Sequence, residues 1–135
     1  MSLHKKHVGL AATAGALALF ASVASAQTAG DFMQNPAFAD PPPKQCNSTV
    51  DMQHCAAHEL RVADAKMSAN YKAKRAGLDQ AEKQKLLQEQ RKWLKARDRN
   101  CMAKAKKYAG GSMSGVAVAQ CWVDVTKLRA EALAK

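Results

Sequence analysis

Aromatic and acidic residues are scarce in this chain. Aromatic residues make up 5% of the 135 residues, and 11 acidic side chains stand against 21 basic ones, for a net charge of +10. With so few aromatic rings, and with those present at positions expected to be buried, the platforms on which unpaired bases stack are missing. The composition therefore argues against nucleic acid as the partner of this basic protein.

The chain also lacks the residue patterns of common catalytic sites. It contains no C-x-x-C pair, and its Gly110-Gly111-Ser112 run has neither the lysine nor the spacing of a phosphate-binding loop. The four cysteines are expected to be oxidised, so none supplies a nucleophilic thiolate. We therefore expect no enzyme activity, no catalytic residue and no cofactor.

The N-terminus has the three-part pattern of a cleavable signal peptide. Lys5 and Lys6 precede an uncharged run over residues 8–23, which is followed by small residues ending at Ala26. The run is shorter than the roughly 20 residues that a membrane-spanning helix needs. We predict a signal peptide over residues 1–26, cleavage near Ala26, a periplasmic or secreted location and no transmembrane segment in the mature chain.

Cleavage leaves a strongly basic mature chain that begins with a proline-containing segment. Loss of the two lysines leaves 19 basic and 11 acidic side chains, a net charge of +8, which favours anionic partners. Residues 27–45 contain four prolines and no apolar period, so we predict a disordered spacer. Docking of Phe32 and Phe38 onto the domain is the alternative to this mobile tether.

Residues 46–135 are predicted to form the folded domain. The run Ser48-Thr49-Val50-Asp51 fits a capping pattern that opens a helix over residues 49–75, with Gly77 as a left-handed C-terminal cap. An Asp79/Glu82 cap opens a second helix over residues 80–108, and Gly110-Gly111-Ser112 ends it and caps a third over residues 113–134. The sequence therefore predicts an all-α fold, an antiparallel up-down-up three-helix bundle stapled by two disulfides.

Apolar periodicity predicts which face of each helix is buried. The inward residues of the first helix are Ala56, Leu60, Ala63, Met67 and Tyr71. Those of the second are Leu87, Leu94, Cys101 and Tyr108, flanked by Leu86 and Trp93. Those of the third are Val118, Cys121, Trp122, Val125, Leu128 and Ala132. A ridge of basic side chains falls on the opposite side of the second helix, namely Lys85, Lys92, Lys95, Arg99 and Lys106.

Four cysteines in a small exported domain predict two disulfides, each worth about 2–4 kcal/mol. Cys101 and Cys121 each lie ten residues from Gly111, so an antiparallel hairpin brings them to one level. We therefore expect Cys101 to pair with Cys121, and Cys46 with Cys55. The other connectivities stay open, because Cys55 lies about as far before the first turn as Cys101 lies after it, and four cysteines allow three arrangements.

A family resemblance extends over the predicted domain. Its residues are Cys46, Cys55, Ala63-Asp64, Tyr71, Gln90-Arg91, Trp93-Leu94, Arg97-Asp98, Cys101, Gly110-Gly111-Ser112, Cys121, Thr126, Arg129 and Leu133. Together they resemble the lysozyme inhibitor LprI N-terminal domain family, small exported bacterial helical domains. Met67 and Ser68 stand where the family usually has Leu-Asn. The resemblance implies a non-catalytic binding protein of the bacterial envelope that inhibits a lysozyme-type partner.

Polar residues beside the apolar seam of the second helix are predicted to form a structural network. Counting from the turns places Asp124 level with Arg97 or Asp98, which predicts an ion pair between Arg97 and Asp124. It places Arg129 level with Trp93, which predicts a cation–π contact. Asp64 falls near Arg91. Gln90 needs a partner too, because an unbonded buried amide is costly. A network that fixes helix register is the preferred interpretation, and a ligand site on the same residues is the alternative.

Two further hypotheses concern surface residues. His54 and His58 lie four apart on one helix face, a spacing that can chelate zinc or copper, but no third ligand is evident, so we expect at most weak metal capture. The basic ridge supports an alternative function, an electrostatic module that binds lipid head groups or cell-wall polymers.

Overall fold

The structure is a computed structural model that describes residues 27–135, and the predicted signal peptide lies outside the described residues. Within residues 27–135 the chain is helical and has no strand, which confirms the all-α fold class. The elements are α1 (Ala29–Met33), a 3-10 helix (Pro36–Phe38), α2 (Thr49–Ala76), α3 (Gln80–Lys104), a second 3-10 helix (Ala105–Tyr108) and α4 (Met113–Leu133). In this part of the chain, no helix combines the length and apolar character that crossing a membrane requires.

Helices α2 and α3 begin where capping signals predict. The Ser48 hydroxyl accepts a hydrogen bond from the Asp51 amide at 3.0 Å. The Asp79 carboxylate accepts from the Glu82 amide at 2.8 Å, and the Glu82 carboxylate accepts from the Asp79 amide at 3.0 Å. Each cap satisfies backbone donors that the first turn of a helix leaves free.

The helix ends differ from the predictions. Gly77 has φ −86°, so it is not a left-handed cap, and its amide donates to the Lys74 carbonyl oxygen instead. The second predicted helix stops at Lys104 and tightens into a 3-10 helix, and the Ser112 side chain makes no capping hydrogen bond. The turn before α4 depends on Gly110, whose φ of +80° is strained for any residue with a Cβ.

Helix α4 packs along α2 and also against α3. Contacts between Gln53 and Gly115, and between Asn70 and Ala130, show that α2 and α4 run in the same direction. The approach at Gly115 is close, since a Cβ there would lie 2.6 Å from the Gln53 Oε1. The Cys101–Cys121 disulfide and the contact between Arg129 and Gln90 show that α3 and α4 run in opposite directions.

Both predicted disulfides are confirmed. Cys46 pairs with Cys55, with a Cα–Cα distance of 6.3 Å, and Cys101 pairs with Cys121 at 5.5 Å. The first bond ties the chain before α2 to the second turn of that helix. The second bond joins α3 to α4 and lies in the core, where Cys101 is 1% exposed.

The core consists of two clusters of buried side chains. The larger contains Ala29, Phe32, Ala56, Ala57, Leu60, Cys101, Val118, Ala119, Trp122 and Val123. The smaller contains Met67, Leu86, Ala130 and Leu133. Helix α4 supplies both, because its buried face must contact α2 and α3 at once.

Three side chains predicted to point inward are exposed. Leu128 is 64% exposed and Ala132 is exposed as well, because the buried face of α4 runs through Trp122 and Thr126, and these two members of the predicted stripe lie off that face. At about 100° per residue, Leu128 lies roughly 200° around the helix from Thr126. Tyr108 is 40% exposed, because the 3-10 turn after Lys104 takes it out of the seven-residue repeat.

The prediction of a disordered spacer is wrong for residues 28–38. The Thr28 hydroxyl and the Asp31 carboxylate form a reciprocal capping box that opens α1. Phe32 is 2% exposed, and its ring centroid lies 5.4 Å from that of Trp122 and 5.3 Å from that of Phe38. Burial of such a ring contributes about 2 kcal/mol, which helps to offset the entropy lost when the segment is ordered.

We predict that Phe32→Ala lowers the free energy of unfolding by about 3 kcal/mol, because it removes a buried ring and leaves a cavity beside Trp122. Urea unfolding followed by Trp fluorescence measures the change. The neighbouring exposed residue Gln34 supplies the matched control, Gln34→Ala, with an expected change within about 0.5 kcal/mol. Equal stability of the two variants would show that the segment does not contribute to the core.

Candidate functional site

A buried arginine is the centre of the polar network. The Arg97 side chain is 4% exposed, and its Nε donates to the Asp98 Oδ1 at 3.0 Å. Its Nη1 donates to the Thr126 hydroxyl at 3.3 Å and lies 3.8 Å from the Asp64 Oδ1. The guanidinium therefore joins α2, α3 and α4 at one point, and its charge is compensated by two carboxylates.

The predicted ion pair between Arg97 and Asp124 is wrong. Asp124 is exposed, and its Oδ1 accepts a hydrogen bond from the Gln120 Nε2 at 2.9 Å. It lies two residues from the buried Thr126, and therefore on the opposite face of α4. Asp64 takes the expected place of Asp124, whereas the predicted partner of Asp64, Arg91, is exposed.

The second part of the network surrounds Trp93. Arg129 lies 5.7 Å from the Trp93 ring centroid, which confirms the predicted cation–π contact, and Arg97 lies 5.3 Å from the same centroid. The Arg129 Nε donates to the Gln90 Oε1 at 2.9 Å, and the Gln90 Nε2 contacts the Met67 sulfur at 3.5 Å. The buried amide of Gln90 is thus bonded at both of its ends.

Burial affects the acidic member of the network on α2. Asp64 is half-buried, and desolvation raises the pKa of its carboxyl, while the positive charge of Arg97 opposes that rise. Removal of the Arg97 guanidinium would leave desolvation as the effect on the Asp64 pKa, which would then rise further. Asp64 is therefore the group that reports the state of the network most directly.

A second cluster, which the sequence did not predict, binds the N-terminal segment to α2. We call residues 28–40 the N-terminal latch. Arg61 donates to the carbonyl oxygens of Met33 and Phe38 at 3.0 and 2.9 Å, and to the Asp40 carboxylate at 2.7 and 3.1 Å. Hydrogen bonds from Arg61, and then from His58, lower the pKa of Asp40 to about 2. The sequence around Arg61 contains no local signal that predicts its hydrogen bonds to the latch.

The two histidines predicted as weak metal ligands lie within this cluster. The His54 Nε2 is 2.6 Å from the Ala39 carbonyl oxygen, and the His58 Nδ1 is 2.7 Å from the Asp40 Oδ1. Each imidazole thus contacts the latch and is not part of an open chelating pair. Among residues 27–135, no group of three or more His, Cys, Asp or Glu side chains is arranged to hold a metal ion.

The basic ridge lies on the surface. Lys85, Lys92, Lys95, Arg99 and Lys106 are all exposed. None of these five side chains forms an ion pair with another group in the described part of the chain. Their charges are therefore free to act on an external partner.

The fold and these surfaces define a class of protein: a small, disulfide-bonded helical domain with a buried polar network and an exposed basic face. Within this class, the chain belongs to a particular family. Residues 41–133 match the family described as lysozyme inhibitor LprI. The whole N-terminal latch lies before the matched region.

A relative extends the comparison without adding a function. The chain is similar to an uncharacterized protein, R02472, of Rhizobium meliloti (strain 1021), with 28% identity over 110 residues. The alignment covers 70% of this chain and 79% of the relative. No solved structure matches the chain.

We predict that Arg97→Met lowers the free energy of unfolding by about 3 kcal/mol, because two partly buried carboxylates lose their common partner. The exposed Arg99 on the same helix supplies the matched control, Arg99→Met, with an expected change within about 0.5 kcal/mol. Urea unfolding measures both. NMR titration should also show a further rise in the pKa of Asp64 in the Arg97 variant alone. An unchanged Asp64 titration would contradict the ion pair.

Proposed function

We propose that the mature protein is an exported, non-catalytic inhibitor of lysozyme-type enzymes that covers part of its partner with a rigid helical surface. The observation that carries this proposal is the family match over residues 41–133. Two disulfides and the proposed signal peptide are consistent with an oxidising compartment outside the cytoplasm.

Rigidity supports an inhibitor that acts by contact. The disulfides restrain α2 and the α3–α4 pair, and the buried Arg97 joins all three long helices. A surface that is ordered before association loses little conformational entropy on binding. A binding protein of this size therefore does not need a pocket or a moving element.

The positive net charge of the mature protein restricts how it can bind a basic lysozyme. Animal-type lysozymes are strongly basic, so a mature inhibitor with a net charge of +8 is repelled at long range. Binding then requires local contact with an acidic part of the partner. Moderate salt screens the long-range repulsion more than the short-range contact, so it should accelerate association.

We predict that purified mature protein slows lysis of bacterial cell walls by at least one lysozyme type, and that the association rate rises between low and moderate salt. Turbidity assays measure inhibition, and biosensor kinetics measure association. Reduced and alkylated protein is the matched control, since it keeps the sequence but not the fold. No inhibition at a large molar excess over several lysozyme types would remove the proposal.

A second candidate function is binding to anionic envelope components. It is favoured by the five exposed ridge side chains, which have no acidic partner among the described residues. Each basic side chain near an anionic surface contributes roughly 1 kcal/mol, and salt screens that attraction. The salt dependence is thus opposite in sign to that of association with a basic lysozyme.

For this second candidate we predict binding to vesicles rich in anionic lipid that weakens steeply with salt. Replacement of Lys85, Lys92, Arg99 and Lys106 with Glu should abolish it. The matched control reverses the charge of four exposed residues on α2, namely Lys66, Lys72, Lys74 and Arg75. Equal loss in both variants would show that net charge, and not the ridge, controls the binding.

A further inference from the structure

The connection between α3 and α4 has a distinctive charge. We call residues 104–113 the basic turn. Between Asp98 and Asp124 the sequence contains no acidic residue, whereas Lys104, Lys106 and Lys107 all lie in the turn. These three lysines are exposed. Within residues 27–135, none of them forms an ion pair.

The basic turn also exposes apolar side chains. Five large hydrophobic residues in the described chain are exposed, and two of them, Tyr108 at 40% and Met113 at 42%, belong to the turn. A third, Val50, lies in the first turn of α2. This turn is at the same end of the bundle, since Gln53, three residues later, contacts Gly115. Positive charge and apolar area therefore coincide at this end.

A disulfide and contacts within the turn hold the basic turn in place. The Cys101–Cys121 disulfide crosses from α3 to α4 three residues before the turn begins. Within the turn, the Gly111 amide donates to the Tyr108 carbonyl oxygen at 2.9 Å, and the Lys107 Nζ lies 5.9 Å from the Tyr108 ring centroid. These restraints order the turn before it meets a partner, which limits the entropic cost of binding.

A groove beside the turn has the same mixed character. It has a volume of about 460 Å³ and is lined by Lys104, Lys107, Tyr108, Ala117, Gln120, Cys121, Asp124 and Val125. Asp124 is its acidic member, and one of its carboxylate oxygens already accepts a hydrogen bond from Gln120. The groove extends the contact surface from the turn along the α3–α4 seam.

The chemistry of the proposed partner supplies a matching acidic feature. Glycoside hydrolases place two carboxyl groups about 5–10 Å apart in the cleft that holds their substrate. Such a cleft is negatively charged even on an enzyme that is basic elsewhere. A lysine pair next to an aromatic ring is complementary to it, because Tyr contacts are prominent among strong interface residues and their apolar surroundings exclude water.

We propose that the basic turn is the element that enters the substrate cleft of the lysozyme-type partner, with Lys106 and Lys107 facing the catalytic carboxylates and Tyr108 contacting the cleft wall. This inference rests on the proposed function. The rest of the ridge is a weaker choice, because the stretch of α3 from Lys85 to Arg99 carries no exposed large hydrophobic residue. The side-chain charges there remain hydrated, so they contribute little to binding at short range.

Two double variants with the same net charge test the inference. Lys106→Glu/Lys107→Glu reverses the charge of the turn, and Lys85→Glu/Lys92→Glu reverses the charge of two exposed lysines between the start and the middle of α3. Both variants reduce the long-range repulsion from a basic lysozyme equally, so both should associate faster at low salt. Only the turn variant should dissociate faster, by at least about tenfold, since only it loses the short-range contact.

The measurements are lysis inhibition and biosensor rate constants, with thermal unfolding to show that both variants are folded. A soluble oligosaccharide fragment of the cell wall should compete with the wild-type protein for the enzyme. Equal dissociation rates for the two variants, or binding that the oligosaccharide does not weaken, would overturn the role of the basic turn. Failure of the wild-type protein to inhibit would instead remove the proposed function and the inference with it.

Discussion

The disulfide between Cys101 and Cys121 is the constraint on which the other features depend. It places α3 against α4 at one level and buries Cys101 next to Trp122 and Val118. One turn earlier on α3, Arg97 then faces Thr126 on α4, and the next turn brings Trp93 under Arg129. A slip between these helices would separate each pair. A domain with a core this small gains a large share of its stability from such a bond.

The N-terminal latch completes a core that the matched family region begins. Phe32 packs on Trp122, and Arg61 holds the chain at Met33, before the 3-10 helix, and at Phe38, the last residue of that helix. Asp98 links the latch to the polar network, because its Oδ1 accepts hydrogen bonds from both Arg97 and the Ala29 amide. The latch is therefore part of the folded unit.

Positive charge has two different roles in this protein. Arg97 and Arg61 are held by several acceptors each, and their charges are compensated by neighbouring carboxylates. The lysines of the ridge and the basic turn are exposed and lack such partners in the described residues. This division matches the properties of the two side chains, since the planar guanidinium binds several acceptors at once and the lysine ammonium is a strongly hydrated point charge. The proposed functions use the second group only.

The sequence by itself determined the helical class, the starts of α2 and α3 and the exposed ridge, and it favoured the disulfide pairing that the structure has. These depend on local spacing: Ser48 and Asp79 cap their own helices, and Cys101 and Cys121 lie equally far from one turn. Tertiary structure alone decided the partners of Arg97, the exposure of Leu128 and the docking of Phe32. The partners of Arg97 and the exposure of Leu128 depend on how each helix is rotated about its axis relative to its neighbours. The docking of Phe32 depends on contact with Trp122, which is distant in the sequence. Packing between distant segments therefore decides all three.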